Sequence, residues 1–500
     1  MNYVLGIDLG TSSVKVILVQ KDGAIVSSST KEYPLINKQP GYSEQDPLVW
    51  VAQTIKATKE IIERCDINPG QIEGLSFSGQ MHGLVLLDEN NNVLRPAILW
   101  NDTRTSRQCS EITDRLGEQL LDITRNKALE GFTLPKLLWV KENEPDIYKK
   151  IHKILLPKDY LRFRLTGNIQ MEYSDAAGTL MLDIANKCWS QEILNAFNIN
   201  PSICPELVES TDFTGYVLPD IAEKMNLTSR TKVFAGGADN ACGALGANIL
   251  SEDKAMSSIG TSGVLLSFED EAVDYSGTIH FFNHSVPNAY YSMGVTLAAG
   301  HSLNWLKNTF FENESFEDMM AYAEQSKAGS KGLLFTPYIV GERTPHPDAK
   351  IRGSFIGIDA GHSKKDFVRA VLEGITFSLN ETLEEYKKRN KQIDTIVSIG
   401  GGAKSDLWLQ IQADIFNTKV IKLATEEGPS LGAAIIAATG LDWYPTVQDC
   451  ANAFVKVDKV VYPDTKNVET YRKLFKIYKE IYPSTASINH RLFDDFRVNL

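Results

Sequence analysis

Two short turns of nearly the same sequence, one near the start and one halfway along the 500 residues, could each hold a phosphate group. Glycine adopts backbone conformations closed to other residues and leaves no side chain to keep an anion away, while Thr and Ser add hydroxyl donors to the exposed N–H groups. The residues expected to contact phosphate are Gly10, Thr11 and Ser12 in the first turn and Gly260 and Thr261 in the second. A single copy would fit an ordinary hairpin turn equally well, but repetition in both halves favours a duplicated fold.

Two carboxylates and a lysine near glycine-rich segments could supply the rest of a phosphoryl-transfer site. Asp8 ends the apolar run before the first turn, where it could hold Mg²⁺ through water or bond the N–H groups of its own turn. Asp239 follows two glycines at the end of another apolar run and is the candidate general base. Its position also fits an N-cap for the helix that opens at Asn240. Lys15, on the strand leaving the first turn, could offer positive charge to phosphate or be an exposed strand lysine.

The hydrophobic pattern predicts a strand on each side of both turns, followed by alternating helices and strands. The predicted strands are 3–8, 14–19, 72–78, 233–237, 255–258, 264–268 and 395–399. The predicted helices are 47–65, 105–121, 134–143, 300–309 and 364–387. Because the second half repeats the order of the first, we place a domain boundary near Leu250, which gives domains 1–247 and 248–500. The polar stretch 483–500 could dock or fray.

Composition excludes several classes of function. The hydrophobic fraction of 43% and the charged fraction of 23% are ordinary for a globular protein. A net charge of −12 argues against nucleic acid or an anionic membrane surface as the main partner, because both need a basic footprint. We find no signal-peptide or transmembrane pattern, so the cytoplasm is the expected location. The six cysteines are scattered without metal-ligand spacing, which predicts free thiols.

Three motifs carry a resemblance to a known family. The segment 6–12, Gly-Ile-Asp-Leu-Gly-Thr-Ser, resembles the first phosphate motif of the actin-like ATPase superfamily, in which the aspartate works with the magnesium of the nucleotide. The segments 132–140 and 353–358, the latter followed by 370–375, resemble the two signatures of the FGGY carbohydrate kinases. This resemblance implies an α/β fold with two actin-like (ribonuclease H-like) ATPase domains flanking a central cleft. It also implies ATP and Mg²⁺ as cofactors and Asp239 as the catalytic aspartate.

Further motifs single out one branch of this family, the kinases that act on D-xylulose. The motifs are 79–83, 99–104, 156–161 and 341–346. The resemblance implies that Met81 and His82 lie beside the sugar, with Trp100 and Asp102 nearby, although His82 by itself would more often be a structural histidine. Asn240, next to the base, is a plausible partner of a sugar hydroxyl. The implied reaction is ATP-dependent phosphorylation of D-xylulose to D-xylulose 5-phosphate.

The second half is expected to bind most of the nucleotide. Gly300 and Asn304 lie on the helix after the second turn. A glycine-rich segment follows a buried strand and precedes a helix whose N-terminus could face the nucleotide. The candidate residues in this segment and at the start of that helix are Gly401, Gly402, Ala403 and Asp406. If both turns touch one ATP, closure of the two halves must bring the sugar and the γ-phosphate together and expel water.

Three other functions remain compatible with these motifs. The substrate could be another ketose, such as ribulose. The chain could be a sugar sensor without turnover, although Asp8, Asp239 and both turns argue against this. A chaperone or a filament would share the ATP-binding core but would leave the sugar-side motifs unexplained. The expected partners are therefore a small sugar and ATP, with a homodimer possible because relatives are often dimers.

Overall fold

The computed structural model describes residues 2–496, which form two seven-stranded sheets surrounded by helices. The strands before residue 250 are β1 (Tyr3–Leu9), β2 (Ser13–Gln20), β3 (Ile25–Glu32), β4 (Glu44–Gln45), β5 (Ile72–Gly79), β6 (Val85–Leu87), β7 (Ala97–Ile98), β8 (Lys153–Leu155), β9 (Gln170–Glu172), β10 (Leu182–Asp183), β11 (Cys188–Trp189), β12 (Glu206–Val208), β13 (Phe213–Tyr216), β14 (Lys232–Phe234) and β15 (Gly237–Ala238). The strands after it are β16 (Lys254–Ile259), β17 (Gly263–Glu269), β18 (His280–Asn283), β19 (Tyr290–Thr296), β20 (Leu334–Thr336), β21 (Ser354–Ile356), β22 (Thr395–Gly400), β23 (Lys419–Leu423) and β24 (Val457–Val461).

The helices cover both sheets. Those before residue 250 are α1 (Pro47–Cys65), α2 (Ser106–Leu116), α3 (Glu118–Thr124), α4 (Thr133–Asn143), α5 (Pro145–Tyr148), α6 (Pro157–Thr166), α7 (Tyr173–Ala177), α8 (Gln191–Ala196), α9 (Pro219–Met225) and α10 (Asp239–Gly246). Those after it are α11 (Gly300–Phe310), α12 (Phe316–Glu324), α13 (Lys364–Lys388), α14 (Asp406–Phe416), α15 (Gly428–Gly440), α16 (Val447–Phe454) and α17 (Thr465–Phe496). Short 3-10 turns lie at Pro69–Gln71, Pro201–Ile203, Ser330–Gly332 and Gly401–Ala403.

The two sheets share the same central arrangement. In the first, the β1–β2 hairpin lies beside the parallel strand β5, in the order β13-β14-β5-β1-β2-β3, with β15 also pairing with β5. In the second, the β16–β17 hairpin lies beside the parallel strand β22, in the order β18-β19-β17-β16-β22-β23-β24. The predicted α/β fold with two actin-like halves is thereby confirmed.

Two helices from different halves of the chain, α10 and α15, pack closely against each other. Although α15 comes late in the chain, it packs against β1 and β5 of the first sheet and against α10. Glycines make this approach possible, because a Cβ at Gly432 would lie 1.9 Å from the carbonyl oxygen of Cys242 and one at Gly6 would lie 2.0 Å from that of Ser430. Each half of the chain thus contributes one helix to the contact beneath the cleft.

Most predicted elements are present, and the differences arise at glycines. The predicted helix 105–121 is divided between α2 and α3, because Gly117 has a φ of 51° and ends the first of them. The predicted strand 233–237 is divided between β14 and β15, because Gly236 has a φ of 85°. The helix α17 continues through Pro483 to Phe496, so most of the stretch 483–500 is helical and its last four residues lie outside the described part of the chain.

Two predictions from composition can be compared with this fold. All six cysteines are free thiols, as predicted. Within residues 2–496, no helix combines the length and the apolar character needed to cross a membrane.

Candidate active site

Asp8 is the penultimate residue of β1, the strand that leads into the first Gly-Thr-Ser turn. The sheet register places Ser78 of β5 on one side of it and Lys15 of β2 on the other. Burial raises the pKa of Asp8 to about 6, against the lowering effects of Ser78 and Lys15. Its Oδ1 atom is buried and has no hydrogen-bond partner within residues 2–496. This oxygen is therefore suited to a group that the protein itself does not supply, such as a hydrated cation.

Asp239 is the first residue of α10, and its carboxylate lies in the cleft. The N-cap position belongs to Ala238, so the alternative role of Asp239 as N-cap is not adopted. Its Oδ1 accepts hydrogen bonds from the backbone N–H of Asn240 at 2.7 Å and from the Asn240 side-chain amide at 3.0 Å. Burial, with the negative charge of Asp8 as a second cause, raises the pKa of Asp239 to about 7. A carboxylate with this pKa can accept a proton efficiently near neutral pH.

A cavity of about 260 Å³ opens in front of Asp239, between the two halves of the chain. It brings together five of the predicted sugar-side residues, namely Met81, His82, Trp100, Asp239 and Asn240. Residues of the second half complete its wall, among them Ser262, Val264, His280, Phe282, Met293, Val295 and Arg343. Both halves of the chain therefore line this cavity, whereas all the residues predicted to lie beside the sugar come from the first half.

His82 is held in one orientation and one protonation state. It has a φ of 67°, and its Nδ1 lies 2.7 Å from the carbonyl oxygen of Gly178, to which it donates. Its ring packs against Phe132 and Phe282, with centroids 4.7 and 6.0 Å away. Burial lowers the pKa of His82 to about 3, so the ring is neutral. With Nδ1 protonated, Nε2 can accept a hydrogen bond from a hydroxyl group of a ligand.

Asp102 does not line the cavity, which corrects the role in sugar binding that the motif implied for it. Its side chain has no accessible surface. Its oxygens accept hydrogen bonds from the guanidinium of Arg104, at 2.8 and 2.6 Å, and from the backbone N–H of Ser43 at 2.7 Å. Because these buried donors occupy both oxygens, Asp102 anchors the loop that bears Trp100. Trp100 itself lines the cavity and donates from Nε1 to Thr11 Oγ1 of the first turn at 2.9 Å.

Arg343 lies within the motif 341–346, which by itself predicts no role for this residue. The structure places it in the wall of the cavity, opposite the first-half residues. Its backbone N–H donates to Glu342 Oε1 at 2.7 Å, and the same oxygen accepts from the backbone N–H of Leu297 at 3.1 Å. Burial raises the pKa of Glu342 to about 8. The only sequence signal for Arg343 was a lone cation inside a motif that also contains Gly341 and Pro345.

A larger cavity of about 970 Å³ lies on the second half. Six predicted nucleotide residues line it: Gly260, Thr261, Gly300, Asn304, Gly401 and Asp406. Gly402 and Ala403 do not line it and are buried, with Gly402 packed against the side chain of Ile259. Gly402 and Ala403 therefore lie beneath the surface of this cavity, which corrects the direct contacts with the nucleotide predicted for them.

The second turn forms the partition between the two cavities. Gly260 and Thr261 line the larger one, while Ser262 lines the smaller one. The carbonyl oxygens of Gly260 and Thr261 accept hydrogen bonds from the first N–H groups of α11, at 2.9 and 3.1 Å. A Cβ at Gly300 would lie 2.4 Å from the Gly260 oxygen, so this packing requires glycine. The second turn is therefore the element that the two cavities share.

The first turn is held by side chains from several loops. Tyr33 donates its hydroxyl to the carbonyl oxygen of Gly10 at 2.5 Å, and the carbonyl oxygen of Ser12 accepts from the Tyr33 N–H at 3.0 Å. Lys15 forms an ion pair with Glu427, with Nζ and Oε2 2.5 Å apart, just before α15 begins. The positive charge predicted to face phosphate is thus partly balanced, and it links the first hairpin to the second half.

Comparisons with known proteins agree with this geometry. The chain matches the N-terminal domain of the FGGY family of carbohydrate kinases over residues 3–246 and its C-terminal domain over residues 255–441. It is 56% identical over 500 residues to the xylulose kinase of Bacillus subtilis (strain 168), covering 100% of both chains. Two solved structures from Lactobacillus acidophilus, a ligand-bound xylulose kinase and a gluconate kinase, each superpose with a TM-score of 0.93 at 30% identity. The alignments cover 97% of this chain and 99% and 98% of those chains.

Proposed function

Because the chain belongs to the FGGY family of carbohydrate kinases, we propose that it transfers the γ-phosphate of ATP to D-xylulose, giving D-xylulose 5-phosphate. The observation that carries this proposal is the position of Asp239 in a sugar-sized cavity that meets a larger cavity at the second turn. The similarity of the whole chain to a xylulose kinase supports the choice of sugar.

Asp239 would act on the hydroxyl group that attacks the phosphate. With its pKa near 7, the ionised carboxylate accepts the hydroxyl proton as the oxygen forms its bond to phosphorus. The bond between the γ-phosphorus and the bridging oxygen of ADP breaks in the same displacement. Asn240 holds the carboxylate through two hydrogen bonds to Oδ1, which leaves Oδ2 to face the sugar. Most of the remaining stabilisation comes from charge and position.

The residues present fit ATP and Mg²⁺. The larger cavity, with Gly260 and Thr261 at one end and Asp406 in its wall, would hold the nucleotide. Asp8, with its unpartnered buried oxygen, would hold the ion through water. When bound, the ion neutralises phosphate charge during transfer. The turn N–H and hydroxyl groups beside Asp8 would orient the same phosphates.

Recognition of the sugar would come from both halves. His82 offers an acceptor, Asn240 an amide and Arg343 a fork of donors around a cavity whose other walls are largely apolar. Because Arg343 lies on the second half, closing the cleft over the sugar would bring its cation to the oxygens of the substrate. Closure would also exclude water that competes with the sugar for phosphate.

One second candidate follows from Arg343. A guanidinium in a sugar cavity also suits a carboxylate, and one of the similar structures is a gluconate kinase. The substrate would then be an aldonate. The choice between the two rests on the experiment below.

The test is ADP release measured by a coupled assay with purified protein, ATP and Mg²⁺. The panel contains D-xylulose, D-ribulose, L-ribulose, D-gluconate and glycerol, each over a concentration range. We expect kcat/KM for D-xylulose to exceed that for every other sugar by at least about tenfold, because lost hydrogen bonds to buried donors are costly. A preference for gluconate would establish the second candidate, and ADP release without dependence on any sugar would overturn both.

A further inference from the structure

A network of buried charges lies directly behind the loop that carries Asp239. Its members come from α6, β9 and α7, and all of them have no accessible surface: Lys158, Asp159, Arg162, Glu172, Ser174 and Asp175. Lys158 Nζ lies 2.9 Å from Asp159, 3.3 Å from Asp175 and 3.7 Å from Glu172. Burying so many charges is expensive even when they are paired. A gain in folding stability therefore does not account for the presence of these buried charges.

Several hydrogen bonds fix the segment 235–239 from this side, among them one from the Ala235 N–H to the carbonyl oxygen of Asp212 at 3.1 Å. Arg162 donates from Nη1 to the carbonyl oxygen of Ala235 at 3.0 Å. The backbone N–H of Gly236 donates to the carbonyl oxygen of Ser210 at 3.0 Å. The backbone N–H of Ala238 donates to Ser174 Oγ at 2.8 Å, and this bond lies one residue before the base.

The carboxylate of Glu172 holds the side chain that makes the last of these contacts. Ser174 Oγ donates to Glu172 Oε2 at 2.6 Å, and the Ser174 N–H donates to Oε1 at 2.9 Å. Ser210 Oγ donates to the same Oε1 at 2.7 Å. Because Ser174 Oγ donates its only proton to Glu172, this oxygen acts solely as an acceptor toward the Ala238 N–H.

The segment 235–239 contains the two-residue strand β15, which pairs with β5, and two adjacent glycines. Gly236 adopts a φ of 85°, and a Cβ at Gly237 would lie 2.0 Å from Ser285 Oγ. Two glycines in succession give the backbone wide conformational freedom. The position of Asp239 consequently depends on contacts from outside the loop, and a displacement of about 1 Å at a reacting group can cost about 100-fold in rate.

We propose that Ser174, held by Glu172, is a positioning residue for Asp239: it fixes the Ala238 N–H and thereby aims the carboxylate at the sugar hydroxyl. This inference rests on the proposed function, because it takes Asp239 as the base. It assigns a purpose to the segment 156–161, whose Lys158 and Asp159 brace Glu172 and its neighbours. Neither Ser174 nor Glu172 contacts the cavity.

The chain offers a matched control for Ser174. Ser210 is equally buried and donates to the same carboxylate at nearly the same distance. Its hold on the loop is made by its backbone carbonyl, which a side-chain substitution leaves in place. Ser174→Ala removes a contact with the loop, whereas Ser210→Ala removes only a contact with Glu172.

The experiment compares wild type, Ser174→Ala, Ser210→Ala, Asp239→Asn and the double variant Ser174→Ala/Asp239→Asn. The assay is ADP release with the best sugar of the panel above, and thermal unfolding is measured for each variant. We expect Ser174→Ala to lower kcat by about 10- to 100-fold with the KM for ATP unchanged. Ser210→Ala should lower kcat by at most about threefold. It should shift the unfolding midpoint about as much as Ser174→Ala does. In the Asp239→Asn background, removing Ser174 should cause no further loss, because a residue that acts through the base has nothing left to position.

Two results would overturn the inference. One is equal loss of kcat in the two serine variants, which would make the network purely structural. The other is a full additional loss from Ser174→Ala when Asp239 is already replaced. Wild-type protein that phosphorylates no sugar of the panel would instead remove the proposed function, so the two failures are distinguishable.

Discussion

Replacing the proposed base by its neutral isostere, Asp239→Asn, should destroy activity and stabilise the ligand-free protein. Without a proton acceptor, kcat should fall by about 10²- to 10⁴-fold, or about 3 to 5 kcal/mol in the barrier. In the wild type, a base with a pKa of about 7 is about one-tenth ionised at pH 6 and nine-tenths ionised at pH 8. The wild-type kcat/KM should therefore rise about tenfold between these values.

The stabilisation follows from the same raised pKa. In the folded protein the pKa of Asp239 is about 7 instead of its ordinary 3.8, so ionising this group opposes folding. The cost is small below about pH 4, grows between the two pKa values and is complete above about pH 7, where it reaches about 4 kcal/mol. Asparagine avoids this cost and keeps an oxygen for the two donors of Asn240. Its advantage should grow by about 2 to 3 kcal/mol between pH 5 and pH 8.

The assay is urea unfolding followed by tryptophan fluorescence, with EDTA and without ligands, at pH 5 and pH 8. Asp114→Asn is the control, because Asp114 is exposed and such changes usually alter stability by less than about 0.5 kcal/mol. A midpoint difference between wild type and Asp239→Asn that is the same at both pH values would refute the raised pKa of the Asp239 carboxylate. A kcat within tenfold of wild type would refute its role as the base.

Three further perturbations test other parts of the site. Arg343→Met should raise the KM for the sugar about tenfold or more and leave the KM for ATP unchanged, since a hydrogen bond to a charged group contributes about 1.5 to 3 kcal/mol. Steady-state kinetics with each substrate varied would measure both KM values. An equal rise in the two would contradict a role of Arg343 in binding the sugar. Asp8→Asn should abolish the extra thermal stability that Mg²⁺ adds to the ADP-bound protein, whereas stabilisation by ADP alone should persist. If Mg²⁺ still raises the unfolding temperature of the ADP-bound variant, Asp8 does not hold the ion. Gly432→Ala should lower the unfolding midpoint, because its Cβ would lie 1.9 Å from the Cys242 oxygen and such overpacking costs about 1 to 3 kcal/mol. Gly428→Ala in the same helix, with nothing within 4 Å of its Cβ, should leave the midpoint unchanged. Equal midpoints for the two variants would show that the contact between α10 and α15 adjusts to the added methyl group without cost.

Local pattern was sufficient for most elements of the fold. The amphipathic pattern of 47–65 coincides with α1 at both ends, where Asp46 accepts a cap bond from the Leu48 N–H and Pro47 takes the first helical position. The prediction was wrong for 105–121 and 233–237, where a glycine changes the chain direction inside an otherwise regular pattern. Glycine can adopt positive or negative φ at little cost, so the choice depends on how the flanking elements pack, which the local pattern does not contain.

In the candidate site too, local sequence pattern predicts some features and tertiary contacts decide others. Met81, His82, Trp100, Asp239 and Asn240 could be named from motifs, and the structure gathers them around one cavity. The cavity roles predicted for a second set of residues do not hold, because each of these side chains or backbones is turned into the protein: Asp102, Gly402 and Ala403. The position of Arg343 at the cavity was not predicted, because its neighbour Thr344 bonds to Val295 of β19 and its own N–H bonds to the buried Glu342, residues far from or unmarked in the local pattern.

The sequence alone determined that two Gly-Thr-Ser turns stand at similar places in the two halves. Asp8 and Lys15 flank the first turn, whereas Ser258 and Leu265 stand at the corresponding sequence positions around the second. Those features are local, since they depend on residue type and on the two-residue repeat of strands. Only the tertiary structure decided that the second turn separates two cavities, that both halves line the smaller one, and that a buried serine stands behind the base. These depend on contacts between residues far apart in the chain, and their energies arise from burial and charge pairing that exist only in the folded protein.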